Sequence, residues 1–294
     1  MSDARPSADP SAGLFPGRVF VSTVLDALET KTTMSSRLAR RFVQRAAMAG
    51  FLIGLFYVTH YAVVAAFDAV ALGDGVTLRT IGRLVGAVSF GWALVFIYYT
   101  KSELLTSNIM IVTVGAYHRR TGWGRALRLL GLCYLGNLLG GLVVAVLLRF
   151  STLTEGAVMA EMVAAVEHKT AYVADGAAGW GDLFVRAVLC NFCINVAMLL
   201  VYNGLIADTL TKCLVMITSV FVFAFLGLEH SVANTVLFAV VGLREGVDPA
   251  LAAGNVALAL LGNFVGGGLL VGLAYSYVND ERGWRAGTGG DARG

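Results

Sequence analysis

The chain has 294 residues, of which 57% are hydrophobic and only 14% charged, against roughly 25% charged in ordinary soluble domains. Water could not accept so much apolar surface, so a soluble fold is excluded and lipid is the solvent. The net charge of +3 is too small to indicate a nucleic-acid partner, and the distribution of charge carries more than its sum.

In chain order, residues 1–18 hold Asp3, Pro6, Asp9, Pro10 and Pro16 and no apolar core, so they read as a disordered tail and not as a signal peptide. The segment 19–41 differs. Phe20, Val21, Val24, Leu25 and Leu28 share one helical face and precede Arg37, Arg40 and Arg41, which predicts a helix lying on the cytoplasmic interface. A transmembrane domain follows over 42–280, and a glycine-rich tail over 281–294 closes the chain. Within that domain, apolar stretches of spanning length fall at about 46–67, 81–100, 127–149, 183–203, 213–228 and 253–278. Two shorter apolar runs, about 105–116 and 231–243, follow Glu103 and Glu229 and are too short to span alone. The second and fifth helices are therefore predicted to be broken, with an unwound polar step at membrane depth, which is tolerated only beside protein or a water-filled cavity.

Lys and Arg set the orientation. Lys31, Arg37, Arg40, Arg41, Arg45, Arg119, Arg120, Arg125, Arg128, Lys212 and Arg282 fall in the segments assigned to the inside. The outer segments hold Arg79, Arg83, Lys169 and Arg244 beside Asp74, Glu155, Glu161, Glu167, Asp175, Asp182 and Asp248. The positive-inside rule then predicts six spans with both termini cytoplasmic, in the plasma (inner) membrane.

The second half repeats the first. Glu103 recurs 126 residues later as Glu229, Asn108 as Asn234, and Gly136-Asn137-x-x-Gly140-Gly141 as Gly262-Asn263-x-x-Gly266-Gly267. Apolar filler can match by composition, but polar and glycine identities locked in register do not arise that way. Each repeat, about 42–150 and 180–280, contains three spans, an odd number, so the second enters the membrane inverted. The fold class expected is an all-α membrane protein of six helices in two inverted three-helix repeats.

Ionisable groups at membrane depth are costly and point to function. Glu103 and Glu229, with Asn108 and Asn234, occupy equivalent positions at the helix breaks, so a scaffolding role, taking freed backbone N–H groups, is favoured over substrate contact. His230 is unmatched: its counterpart is Leu104. Packing against a carbonyl and proton exchange with a passing anion both remain open for it on the residues alone. Lys101 either adds positive potential or snorkels, and His60 reads as a packing histidine. Cys133, Cys190, Cys193 and Cys213 read as small buried side chains. No paired metal spacing or cofactor motif occurs, so no metal, cofactor or enzymatic chemistry is expected.

The stretch Gly227-Leu228-Glu229-His230-Ser231-Val232-Ala233-Asn234 resembles the G-x-E-H-S-x-A-N signature of the formate/nitrite transporter family. Glu103-Leu104-Leu105-Thr106-Ser107 resembles its acidic-L-F-T-S loop, R-A-V-L-C-N at 186–191 the start of its fourth helix, and Gly262-Asn263-x-x-Gly266-Gly267-Gly268 its sixth. The resemblance covers about 45–278 and implies an aquaporin-like fold assembled as a homopentamer with one pore per protomer. It implies His230 as the central histidine, Thr106 as the loop threonine, Asn191 as the fourth-helix asparagine and Lys169 as the vestibule lysine. An insertion of about six residues precedes that fourth helix. It also implies hydrophobic constrictions at Phe90, Leu94, Leu104, Leu105, Ile194 and Phe223. Leu105 stands where an aromatic is usual, and Lys101 where a small residue is common.

The function implied is pH-dependent transport of small monovalent anions with protons, in which His230 supplies or returns a proton between the two rings. A passive anion channel and an aquaporin-like neutral-solute channel are the alternatives. Asn-Pro-Ala boxes are absent. Formate, nitrite, hydrosulfide, acetate and lactate all suit such a pore, and neither the physiological anion nor its direction is legible.

Overall fold

The structure, a computed structural model, describes residues 13–73 and 75–282, so most of the expected N-terminal tail and the glycine-rich tail from Gly283 lie outside the described residues. The helices are α1 (Arg18–Arg37), α2 (Ala39–Asp68), α3 (Arg79–Tyr99), α4 (Leu105–Tyr117), α5 (Trp123–Arg149), α6 (Ala157–Ala174), α7 (Ala177–Tyr202), α8 (Thr209–Phe225), α9 (Ser231–Gly242) and α10 (Pro249–Asn263). The last continues through a π-helical stretch, Phe264–Leu273, into α11 (Ala274–Val278). A two-stranded hairpin, Ala71–Gly73 with Val76–Thr77, departs from the all-helical expectation between α2 and α3.

Among the described residues, five helices are long and apolar enough to cross a membrane: Ala39–Asp68, Arg79–Tyr99, Trp123–Arg149, Ala177–Tyr202 and Pro249–Val278. The other expected span, α8, has 17 residues, and its rise of about 25 Å is slightly less than a hydrocarbon core of about 30 Å. The segment carrying Glu161, Glu167 and Lys169, read as an outer loop in the sequence, is the helix α6. Gly156 and Gly176, both at positive φ, bound it. Met159, Met162, Val166 and Lys169 are buried at helical spacing along it; the interspersed charges obscure that stripe.

Helix α1 forms where expected, but its apolar face is turned to protein. Phe20 and Val24 are fully buried, and the Phe20 ring meets Tyr275 edge-on at 5.3 Å. Leu28 packs onto Gly115 of α4, where a Cβ would lie 2.1 Å from the leucine side chain. The helix is therefore a strap docked on the bundle. The backbone N–H of Gly17 donates to Asn279 Oδ1 at 2.7 Å, so the two ends of the described chain meet on one face.

Glycines in the repeated motif let helices touch backbone to backbone. A Cβ on Gly140 of α5 would sit 1.8 Å from the Ala47 carbonyl oxygen of α2, and one on Gly266 would sit 2.0 Å from the Val188 carbonyl oxygen of α7. Lipid supplies no hydrophobic drive between helices, so such close packing is what holds them. Corresponding helices of the two halves thus meet in the same way. Between them lies the core, which includes Phe90 and Phe223, whose rings meet edge-to-face at 5.9 Å.

Candidate functional site

Two corresponding non-helical connections face each other in the middle of the bundle. The first lies between α3 and α4, where Lys101 turns to φ 55° and Leu104 is extended. The second lies between α8 and α9, where Gly227 takes φ 67° and His230 is extended. Glycine enters that left-handed region freely, whereas a lysine there costs about 1–2 kcal/mol. The helix ends at each connection leave backbone groups that need partners. Asn137 and Asn263 take them. The Asn137 side-chain amide donates to the Glu103 and Ala46 carbonyls, both at 2.8 Å, and accepts from Leu105 N–H at 3.1 Å. Asn263 donates to the Glu229 carbonyl at 3.0 Å and that of Ala187 at 2.8 Å, and accepts from Ser231 N–H at 3.0 Å. An arginine ties each left-handed turn: Arg45 Nε donates to the Lys101 carbonyl at 2.6 Å, and Arg186 Nη1 to the Gly227 carbonyl at 3.2 Å.

The two glutamates do a different job from the one expected, holding side chains where backbone N–H groups were anticipated. Glu103 accepts from Asn108 Nδ2 at 3.2 Å and pairs with Arg45 at 3.2 Å and with Lys31, which reaches over from α1. Glu229 accepts from Asn234 Nδ2 at 2.5 Å and pairs with Lys169 at 2.7 Å from α6. Both carboxylates are about 1% exposed, so each needs its cation. Lys31 is absent from the residues singled out in the sequence. Its equivalence to Lys169 is visible only once α1 and α6 are seen to dock on corresponding glutamates.

Symmetry fails at one point. His230 caps α9: its Nδ1 accepts from the N–H groups of Val232 at 3.1 Å and Ala233 at 3.2 Å. A ring nitrogen that accepts carries no proton, so the neutral imidazole holds its proton on Nε2. That nitrogen lies 3.3 Å from Thr106 Oγ1 on the opposite break. Thr106 is held in turn by its carbonyl, which accepts from Asn191 Nδ2 and Asn195 Nδ2, each at 3.2 Å. Asn191 also donates to the Asn263 carbonyl at 2.7 Å and accepts from Asn195 at 2.8 Å. Its amide is fully engaged with backbone and a neighbour. Asn191 thus positions the threonine that faces His230. Asn195, one turn further along the same face of α7, escaped the sequence reading although the i, i+4 spacing marks it. Arg45 and Arg186, Ala46 and Ala187 are 141 residues apart, and in that register Asn191 and Asn195 replace Gly50 and Gly54. These two and His230, which replaces Leu104, converge on Thr106.

Around this point the chain encloses an aligned set of spaces. A cavity of about 350 Å³ opens on the Lys169 side, lined by Arg79, Arg83, Glu161, Lys169, Arg186 and Glu229 among others. A second, of about 240 Å³, opens on the Lys31 side. Between them a cavity of only about 10 Å³ is walled by Phe90, Leu94, Leu104, Ile194, Phe223 and His230, about the room one water needs. The structure thus gathers five of the six expected constriction residues. Leu105 is the exception: it is the first residue of α4, is buried, and lines none of these three cavities. Its backbone N–H donates to Asn137 Oδ1 at 3.1 Å. Both wide cavities carry excess positive charge, and the narrow one is apolar apart from the imidazole.

Residues 19–277 match the formate/nitrite transporter family. Among curated relatives, the chain is 30% identical to the uncharacterized transporter YwcJ of Bacillus subtilis (strain 168), over 67% of this chain and 75% of that protein. It is 29% identical to the nitrite transporter NirC of Salmonella typhimurium, covering 67% and 72%, and 27% identical to the formate channel FocA of Escherichia coli (strain K12), covering 69% and 76%. A solved structure described as an FNT family ion channel superposes with a TM-score of 0.75 at 25% identity, over 89% of this chain and 99% of the other. A pentameric formate channel with formate bound shares the fold, with a TM-score of 0.65 at 22% identity, covering 83% and 98%. A family match across nearly the whole described chain, on a structure that places the family's histidine signature at the centre of a cavity-lined axis, leads to one conclusion: the chain belongs to the formate/nitrite transporter family.

Proposed function

We propose that this chain is a pH-dependent pathway for small monovalent weak-acid anions, formate, nitrite or a relative, moving with protons through one narrow pore per protomer of a homopentamer. The observation that carries the reading is the polar pair His230–Thr106 at an apolar constriction between two cationic cavities. In this reading α3 with α4 and α8 with α9 are broken membrane helices, completing six spans in two inverted repeats. The matched contacts of Asn137 and Asn263, and of Glu103 and Glu229, support that symmetry. The inner face is the one where Gly17 meets Asn279 and the Tyr117 hydroxyl donates to Asp280 at 3.0 Å, since Arg119 and Arg120 follow there. Both termini are then cytoplasmic and the membrane is the plasma (inner) membrane.

The physics is a dehydration problem. Burying an ion costs several kcal/mol even after relaxation, so an apolar ring of Phe90 and Phe223 passes a neutral acid far more readily than its anion. The excess positive charge lining the two wide cavities offsets part of the cost of approach, and His230 exchanges the proton between the rings. Protonating His230 turns Nδ1 into a donor facing two N–H donors, so the relay requires the ring to leave its cap on α9. That same cap favours a second reading, a passive anion channel in which neutral His230 only donates a hydrogen bond from Nε2.

Initial uptake of formate and nitrite into proteoliposomes at two pH values, with and without His230→Phe, separates the two. The relay predicts loss of proton-linked flux in the variant; the passive channel predicts electrogenic flux that survives. Equal pH dependence in both proteins sinks the relay.

A further inference from the structure

We propose that Lys101 is an anion-capture residue of the mouth on the Lys31 side, a charge this chain keeps at the cost of a strained backbone. The inference rests on the anion-transport reading for its ligand class, small monovalent carboxylates and nitrite, but its geometry stands independently.

Lys101 is held at φ 55°, in the left-handed region, whereas the equivalent turn of the other half uses Gly227 at φ 67°. Each of the two turns has its carbonyl tied by an arginine, Arg45 or Arg186, so the backbone task is the same at both and glycine performs it without strain. A residue kept in a strained conformation that glycine would relieve points to a task for its side chain. That side chain is exposed and lines the cavity with Lys31, Arg45 and Glu103. Three cations therefore meet one carboxylate. Lys31 and Arg45 are both spent on Glu103, while Lys101 forms no ion pair among the described residues. Its ammonium stands 5.0 Å from the centre of the Tyr98 ring, an aromatic that lines the same cavity and steadies a cation without neutralising it. Snorkelling alone would carry the amine away from the cavity to the lipid surface. An unpaired cation at an open mouth raises the local concentration of anions and their rate of arrival, an effect that salt screens.

The test reads the potential first and the flux second. In a Cys193→Ser, Cys213→Ser background, which removes the two cysteines that are not fully buried, Ser102→Cys reports the mouth through its reaction rates with an anionic and a cationic methanethiosulfonate. Replacing Lys101 with Gly is expected to lower the anionic-to-cationic rate ratio about tenfold at low ionic strength. The effect should vanish near 1 M salt, where the screening length is about 3 Å. In proteoliposomes without the reporter, Lys101→Gly should lower subsaturating formate and nitrite flux about fivefold at low salt, and Lys101→Arg should retain it. An unchanged reagent ratio, a ratio that falls without any loss of flux, or a loss that persists in high salt overturns the proposal. A wild-type protein that passes neither anion sinks the transport reading instead, and the reagent ratio then decides by itself whether Lys101 recruits anions.

Discussion

At the scale of single residues, the deepest charges in this protein are there to hold structure. Glu229 and Lys169 are a buried pair, each below 10% exposed, and burial makes such a pair indispensable to its own members. Removing one partner strands the other in a low dielectric, at about 3–5 kcal/mol. Glu229→Gln should therefore lower the thermal unfolding midpoint in detergent markedly, whereas Glu229→Gln with Lys169→Met should recover much of the loss. A double variant no more stable than Glu229→Gln would show that the pair contributes through something other than charge balance. Lys169 is consequently a poor candidate for gripping an anion by itself, because its nearest anion is already built in. His230 is the opposite case, with one nitrogen committed to the α9 cap and the other facing a hydroxyl.

At the scale of elements, asparagines from neighbouring helices fasten the connections α3–α4 and α8–α9 by hydrogen bonds to their backbone. Asn263 satisfies three buried backbone groups at once. Its loss takes this partner from the Ser231 N–H and the Glu229 carbonyl, at about 1–3 kcal/mol each before relaxation. Asn263→Ala should destabilise the second break specifically, read as lost amide protection from Ser231 to Asn234 by hydrogen exchange, while the first break around Leu105 keeps its protection. Equal loss at both breaks would show that the two halves unfold as one unit. The strap α1 belongs to this scale too. It brings Lys31 to Glu103 as α6 brings Lys169 to Glu229, so one element outside the five long apolar helices serves each half.

At the scale of the whole molecule, both wide cavities and the constriction between them are lined by one chain. A pathway complete within a protomer predicts independence in an assembly. Mixed proteoliposome preparations of wild type and His230→Phe, co-expressed so that assemblies can contain both, should show flux proportional to the wild-type fraction. Native mass measurement of the same sample tests the five-copy assembly. A steep, cooperative fall with the variant fraction would argue that pores are coupled across copies.

Much of this was legible in the chain because lipid imposes simple rules. Apolar stretches of spanning length, interrupted at Glu103 and Glu229, mark where helices run and stop, since unpaired backbone has no partner in hydrocarbon. The repeat marks which interruptions correspond, and the histidine motif marks where they differ. The helix α6 was not legible, because its buried stripe is diluted by charges that face the vestibule. Nor were the pairing of Lys31 with Glu103 and the contact of Asn191 with Thr106, since each acts across a gap of 72 or more residues. By itself, then, the sequence determined the solvent, the long apolar helices and the unmatched His230, all properties of local composition and register. Only the tertiary structure decided which cation neutralises which glutamate, which nitrogen of His230 is free, and that Lys101 faces a cavity. Those depend on how side chains from distant segments meet, and sequence spacing within one helix does not encode it.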